Sequence, residues 1–306
     1  MEKFSLGTTL TLPAWETLTE VSPFRVETLA ETLIGGQAFR WFRGPGGTFW
    51  VGIWGMHLVS LRLAPCGALE AGLLTKSTSL KEVRRYLGLD RLARLEAALP
   101  CRSDPVLGAL QNRWRGLSLL RQPPGETLLS FICSANKHIL QIRNILQELS
   151  DRFGEPLEDT PFRALPTWER LAHAAEPDLR DCRLGYRAAH IAGTAAFLKK
   201  RPAFFHEVAA LPTRLAREAL LELPGVGPKV ADCVLLFGFE RTEVFPVDTW
   251  IARILGTRYP DLAKWDRRQL ATFARIHFGE AAGLAQQWFF SEARNPLSAG
   301  GAPEKE

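Results

Sequence analysis

The stretch from Leu223 to Asp248 limits what this chain can fold into more than any other part of it. It runs Leu223-Pro224-Gly225-Val226-Gly227-Pro228-Lys229-Val230-Ala231-Asp232-Cys233, then an apolar run, then Phe245-Pro246-Val247-Asp248. Glycine and proline break any regular element at 224–228, so the pattern predicts a hairpin between one helix over 214–221 and a second over 228–238. Pro228 suits the first position of the second helix, where its missing N–H costs nothing. The first turn of that helix has unpaired N–H donors and a positive dipole end, so the backbone around Gly225 and Gly227 can grip a phosphate. Lys229 stands in the same turn, where a cation opposes the dipole and acidic residues are favoured. A locally unfavourable residue is a pointer to function. An amine held there becomes a nucleophile if its site is also desolvated. Asp248 fits as the N-cap of a helix starting at Thr249. Phosphate grip, amine and carboxylate together suggest chemistry on a nucleic acid. The plainer alternative is a tight turn between packed helices carrying a solvated lysine.

Composition sets outer bounds. The 306 residues allow a large core and two or three domains. A net charge of +5 and a pI of about 9.1 permit a polyanionic partner without requiring one. The five cysteines, Cys66, Cys101, Cys133, Cys182 and Cys233, stand singly with no CxxC pair. That argues against a cysteine-built zinc or iron–sulfur site and fits reduced thiols in an intracellular compartment. The first residues lack the apolar run of a signal peptide, and no apolar stretch is long enough for a membrane helix.

Along the chain, 25–34 has helical spacing and stops at Gly35-Gly36. Phe39-Arg40-Trp41-Phe42-Arg43 alternates as a half-buried strand, Gly44 to Gly47 turn, and 48–53 and 57–63 read as two more strands. Three strands with short connections imply an antiparallel sheet. Helices over 80–87 and 91–99 are expected to pack on it. After Pro100 helical periods dominate. Ile139, Ile142, Ile145, Leu146, Leu149 and Phe153 form one stripe, with Gly154 as C-cap. Two further helices are expected over 266–278 and 281–293. The fold class is therefore α+β: an N-terminal antiparallel sheet domain over 1–103, an all-α region over 104–295 with the hairpin at 213–238, and a disordered tail over 296–306.

At these residues the sequence resembles the helix-hairpin-helix DNA glycosylases, whose hairpin is followed by a Gly/Pro-rich stretch ending in aspartate, here Val244 to Asp248. Three more segments narrow the resemblance to the eukaryotic-type 8-oxoguanine DNA glycosylases. Ser130-Phe131-Ile132-Cys133-Ser134-Ala135-Asn136 is similar to the segment that ends in their DNA-inserting asparagine. Gly35-Gly36-Gln37-Ala38-Phe39-Arg40-Trp41 is similar to their base-sensing segment, and Leu184-Gly185-Tyr186-Arg187-Ala188 to their Gly-Tyr-Arg motif. The similarity covers roughly 25–295, with the motifs in register.

The resemblance implies a base excision repair enzyme with glycosylase and AP lyase activity on duplex DNA that contains an oxidised purine. It implies Lys229 as nucleophile through a Schiff base and Asp248 as the carboxylate that stabilises developing positive charge. Gly36 would sense 8-oxoguanine through its backbone carbonyl, Cys233 and Phe290 would sandwich the base, and Gln286 would pair with its Watson–Crick edge. Asn136 would fill the gap opposite the orphaned cytosine, Arg187 would read that cytosine, and Tyr186 would wedge beside it. Gly225, Gly227 and Trp250 would touch the backbone. Without the family, Phe290 and Cys233 read as helix core, and Tyr186 and Arg187 as a helix-start aromatic and a surface charge. Gln141 departs from the pattern, since it stands where a second cytosine-reading arginine is usual; Trp250 departs too, replacing a histidine. No metal and no organic cofactor is implied, no membrane is involved, and a monomer is expected. The setting would be the cytoplasm at the nucleoid in a bacterium, or the nucleus in a eukaryote. The alternatives are another glycosylase of the superfamily, acting on alkylated or other oxidised bases, and a non-catalytic DNA-binding module.

Overall fold

The computed structural model describes residues 13–295; the tail 296–306, expected to be disordered, lies outside them. The fold is α+β, with an antiparallel sheet and its helices followed by a helical region. Strands β1 (Glu16–Thr19), β2 (Trp41–Arg43), β3 (Trp50–Trp54), β4 (His57–Leu63) and β5 (Leu69–Leu73) pair in the order β1-β5-β4-β3-β2. The three strands legible in sequence, β2 to β4, are consecutive and paired, with Trp41 opposite Gly52 and Trp50 opposite Leu61. β1 and β5 add two strands that the alternation does not announce. β5 reads LEAGL, and its Ala and Gly are poor strand formers. They are small because the sheet is crowded there: a Cβ on Gly72 would lie 2.5 Å from the Ser60 Oγ.

All of β3 is buried because both its faces are covered. Trp50 and Trp54 join Trp41 in a core with Leu29 and Leu33 of α1 (Val26–Ile34) and Val83 and Tyr86 of α2 (Leu80–Tyr86). Val51 and Ile53 pack on the other side against Leu157 and Ala164, which belong to the helical region. The remaining helices follow in order: α3 (Leu92–Ala98), α4 (Pro105–Trp114), α5 (Pro124–Ser134), α6 (Ile139–Phe153), α7 (Trp168–Leu171), α8 (Glu176–Leu179) and α9 (Arg187–Lys200). Then come α10 (Phe204–Ala210), α11 (Thr213–Leu221), α12 (Pro228–Gly238), α13 (Thr249–Arg258), α14 (Arg267–His277) and α15 (Ala282–Arg294). The α6 stripe buries Ile142, Ile145, Leu146 and Leu149 as its spacing requires. Gly154 does cap this helix, but in an extended rather than left-handed conformation. It is small because a Cβ there would lie 2.0 Å from the Ala164 carbonyl oxygen.

The two cores interlock. Phe39, Leu95 and Leu99 belong to the helical core, and Leu120 to the sheet core. Polar contacts reinforce the seam. The Arg40 guanidinium donates to Ser150 Oγ and to the Arg163 carbonyl, both at 2.8 Å. Glu126, in the first turn of α5, accepts from the Gly55 N–H at 2.9 Å, joining that helix to the turn after β3.

Burial pushes the Glu126 carboxyl from its ordinary 4.5 up to about 7, against the pull of Arg40. Between those two values the folded protein binds a proton that the unfolded chain has released. This contribution to stability is therefore complete below the unfolded value and is lost as pH rises through about 7. Glu126→Gln keeps an acceptor for Gly55 and removes the titration. Chemical denaturation across the range from roughly pH 5 to roughly pH 8 should show the variant gaining stability relative to wild type as pH rises. Parallel profiles would show that the carboxyl titrates normally.

Candidate active site

The hairpin forms where the sequence places it. Gly225 takes φ +79°, and a Cβ there would lie 2.7 Å from the His190 Cβ, so both conformation and space call for glycine. Gly227 is different. It is the N-cap of α12 in ordinary extended geometry, and a Cβ there would meet nothing within 4 Å. No packing among the described residues asks for glycine at 227, which fits a backbone that something from outside approaches closely. α11 and α12 are braced by a bidentate pair, Arg217 Nε and Nη2 to the Asp232 carboxylate at 2.6 and 3.2 Å. That commits Asp232, the nearest carboxylate on α12, to structure.

Lys229 is half-buried at the mouth of α12, its Nζ 5.0 Å from the centre of the Phe131 ring. Asp248 is half-buried and caps α13, its Oδ1 accepting the Ile251 N–H at 2.8 Å. Cys233 feels both: burial pushes its thiol up to about 11, the Lys229 charge opposes that shift, and Asp232 and Asp248 add to it. Lys229, Cys233 and Asp248 thus share one electrostatic neighbourhood.

The segment from Gly35 to Trp41 closes beside them. Gly36 takes φ +104°, and a Cβ there would come to 3.0 Å from Phe290 Cε1 and 3.6 Å from Ile139 Cδ1. Phe290 is half-buried, with the Arg294 guanidinium 5.8 Å from its ring. Gln286 lies one turn earlier on the same face of α15, 5% exposed, accepting from Gln287 Nε2 at 2.6 Å. Phe39 meets Phe131 edge-on at 5.6 Å, so the segment and Lys229 touch the same ring. Gln37 anchors the segment: it is fully buried, Nε2 donating to the Ser118 carbonyl at 2.8 Å and Oε1 accepting the Leu120 N–H at 3.0 Å.

On the other side, the α5–α6 turn exposes Asn136 at φ +52°, a left-handed geometry that asparagine tolerates better than most residues. Arg187 is not a surface charge. It is 4% exposed, donates from Nη2 to the Ala135 carbonyl and from Nη1 to the Leu184 carbonyl at 3.3 Å, and lies 4.4 Å over the Tyr186 ring. Tyr186 is half exposed and meets His190 at 5.7 Å. Gln141 is exposed, and its Oε1 accepts the His138 N–H at 3.3 Å as part of the α6 cap. Trp250 is half exposed beside Asp248, with the Arg253 guanidinium 5.7 Å from its ring.

Three residues of this neighbourhood escape sequence reasoning about the site: Gln37, Phe131 and His190. Gln37 between a glycine pair and an aromatic run is the one with a signal, since a polar residue there has no solvent-facing pattern to join. Gln37→Ala would leave the Leu120 N–H and Ser118 C=O buried without partners, at about 1–3 kcal/mol each. A loss of about 2–6 kcal/mol in denaturant unfolding is expected; a change within about 0.5 kcal/mol, the usual size at a surface site, would show that the amide ties nothing down.

Residues 129–271 match the HhH-GPD superfamily of base excision DNA repair proteins. An N-glycosylase/DNA lyase of Arabidopsis thaliana is 35% identical over 284 residues, covering 86% of this chain and 76% of that protein. An N-glycosylase/DNA lyase of Saccharomyces cerevisiae is 36% identical over 172 residues, 51% of this chain and 45% of its own length. The 8-oxoguanine glycosylase/lyase of Clostridium acetobutylicum, solved with double-stranded DNA containing cytosine opposite 8-oxoguanine, superposes with a TM-score of 0.81 at 27% identity. That likeness covers 93% of this chain and 99% of the clostridial one. With its hairpin, its lysine and its closing aspartate in one neighbourhood, the chain belongs to the N-glycosylase/DNA lyase family of the HhH-GPD superfamily.

Proposed function

We propose that this chain, an N-glycosylase/DNA lyase of base excision repair, removes 8-oxoguanine from duplex DNA through Lys229, preferring cytosine opposite the lesion. The observation that carries the reading is the joint placement of a half-buried lysine amine, a helix-capping aspartate and the Gly36 backbone set close against the Phe290 ring. The target base must first leave the stack, at a cost of a few kcal/mol. Asn136, exposed on its left-handed turn, fills the gap; its amide both donates and accepts.

In the pocket, Phe290 and Cys233 flank the base plane and Gln286 pairs with its edge. The Gly36 carbonyl accepts the N7–H that 8-oxoguanine has and guanine lacks. With guanine the same carbonyl faces a lone pair, and an unpaired buried acceptor costs about 1–3 kcal/mol. The positive φ of Gly36 turns the backbone towards Phe290, where a side chain would obstruct the base.

The Lys229 Nζ lone pair forms a bond to the anomeric carbon as the base departs with the electrons of the glycosidic bond. The Nζ proton is lost and the sugar ring opens to a Schiff base. Loss of a C2′ proton then expels the 3′ phosphate by β-elimination. Asp248, fixed by its cap bond, faces the developing positive charge on the sugar, as carboxylates of glycosidases do. The hairpin N–H groups and Trp250 hold the backbone nearby. The protein acts as a monomer wherever the chromosome lies, nucleoid or nucleus; among the described residues no helix is long and apolar enough to cross a membrane.

Borohydride added to a reaction on a duplex with 8-oxoguanine opposite cytosine should trap a covalent protein–DNA adduct, absent from Lys229→Gln. An adduct of equal yield in the variant would remove Lys229 from the mechanism. No cleavage of any oxidised-purine duplex by the wild type would favour a binding module.

Opposite-base choice has its own measure. Gln141 is engaged in the α6 cap and offers no charge to a cytosine. Single-turnover excision should be faster opposite cytosine than opposite adenine, and Gln141→Arg should widen that ratio by about five- to 150-fold, as a bidentate base contact of about 1–3 kcal/mol would. Equal rates against all four bases in the wild type would exclude Asn136 and Arg187 as cytosine readers.

A further inference from the structure

Phe131 lies in the middle of α5 with 3% of its surface exposed. The Phe39 ring meets it edge-on at 5.6 Å and 73°, and the Phe237 ring stacks on it at 5.7 Å and 11°. Aromatic neighbours from two other parts of the chain hold it in one orientation in a close-packed core. The Lys229 Nζ lies 5.0 Å from its centroid, inside the distance of about 6 Å at which a ring face attracts an ammonium. Lysine carries its charge on a flexible four-carbon stem, so its amine has no fixed place unless the surroundings supply one. Effective attack needs the reacting atoms held close and in line.

We propose that Phe131 is the positioning residue for the Lys229 amine, its buried ring face holding Nζ at the mouth of α12 by a cation–π contact. The inference rests on reading Lys229 as the nucleophile. The ammonium held at the ring first loses a proton to solvent; as the Nζ lone pair so freed bonds to the anomeric carbon, the base leaves with the electrons of the glycosidic bond and positive charge develops on the nitrogen. The protonated Schiff base keeps that charge at the same atom. The ring therefore attracts the nitrogen in the resting ammonium, which sets its place, and again once the bond has formed. Through Phe39 the same ring also supports the base-sensing segment, so pocket and nucleophile are referred to one rigid group.

The test keeps the shape of the ring and removes its negative face. Phe131 is replaced by phenylalanine carrying one, two and three ring fluorines, and the single-turnover rate of borohydride-trapped adduct is measured on a duplex with 8-oxoguanine opposite cytosine. The rate should fall stepwise, by about two- to thirtyfold across the series, the range set by a cation–π contact of about 0.5–2 kcal/mol. Melting temperatures should stay at the wild-type value. A rate that does not change across the series overturns the proposal, even if Phe131→Leu is inactive or fails to fold. Lys229→Gln is run beside it. No adduct in that variant together with a flat fluorine series removes only the role of the ring; an adduct that persists in Lys229→Gln removes the nucleophile reading and the inference with it.

Discussion

The buried side-chain amide of Gln37 joins segments far apart in the chain. Its Nε2 holds the Ser118 carbonyl, its Oε1 holds the Leu120 N–H, and its own backbone carbonyl accepts from Gln122 Nε2 at 2.7 Å. Gln122 in turn donates its N–H to the Phe237 carbonyl at 2.9 Å, near the end of α12. A continuous path of hydrogen bonds therefore runs from the segment around Gly36 and Gln37 to the helix that carries Lys229. In a low-dielectric interior such bonds are strong and costly to leave half-made, so they fix register as well as stability. The same end of α12 has a second fastening. Glu240, at φ +59°, forms ion pairs with Arg121 at 2.6 Å, Arg85 at 2.7 Å and Arg91 at 3.5 Å. Its carboxylate faces three guanidiniums, and burial pushes Arg91 down to about 10. α12 is thus anchored to the sheet domain at its C-terminal end while its N-terminal end opens outwards with its free N–H groups.

Elimination narrows the groups proposed to react in the neighbourhood of this helix. Cys233 is the other nucleophilic side chain in the neighbourhood, but its thiol, pushed up to about 11 by burial, stays protonated at neutral pH. A protonated buried thiol behaves as a small apolar wall. Asp232 is committed to Arg217, which braces the hairpin. What remains is the Lys229 amine and the Asp248 carboxylate. Asp248 gains its orientation from the cap bond to Ile251, so one short interaction both starts α13 and aims the charge.

Much of this was legible in the sequence, and the exceptions have a common cause. Hairpin, helix starts and the α6 stripe follow from local chemistry: Pro228 at a first turn, Asp248 at a cap, apolar residues at helical spacing. β5 was not legible because its small residues answer to Ser60 on a neighbouring strand, and local propensity does not record that neighbour. Gly154 was legible as a stop, while its reason lay in Ala164, ten residues away. Gln37 and Phe131 stayed hidden for the same reason. A buried glutamine and a buried phenylalanine are ordinary as letters; what sets them apart is the Ser118 to Gln122 segment and the Lys229 amine, which only folding brings to them. Arg187 is the instructive case, because a helix-start arginine is read by default as solvated and here it is buried.

That burial has a consequence for the opposite strand. Arg187 commits its guanidinium to the Ala135 and Leu184 carbonyls, and its Nε has no partner. Ala135 precedes Asn136, the residue held in the left-handed conformation at the tip of the turn. If Arg187 is to bond a cytosine, it must share or release the carbonyl that fixes this turn. Reading the orphaned base and filling the gap left by the extruded lesion would then be coupled through one hydrogen bond and could not be tuned independently. Gln141 offers no way around this, because its amide oxygen already closes the first turn of α6 and it has no charge to add. On the proposed reading such a chain has few separate contacts with which to tell one opposite base from another, and its discrimination would come mainly from how well the Asn136 turn and the Arg187 guanidinium fit at the same time.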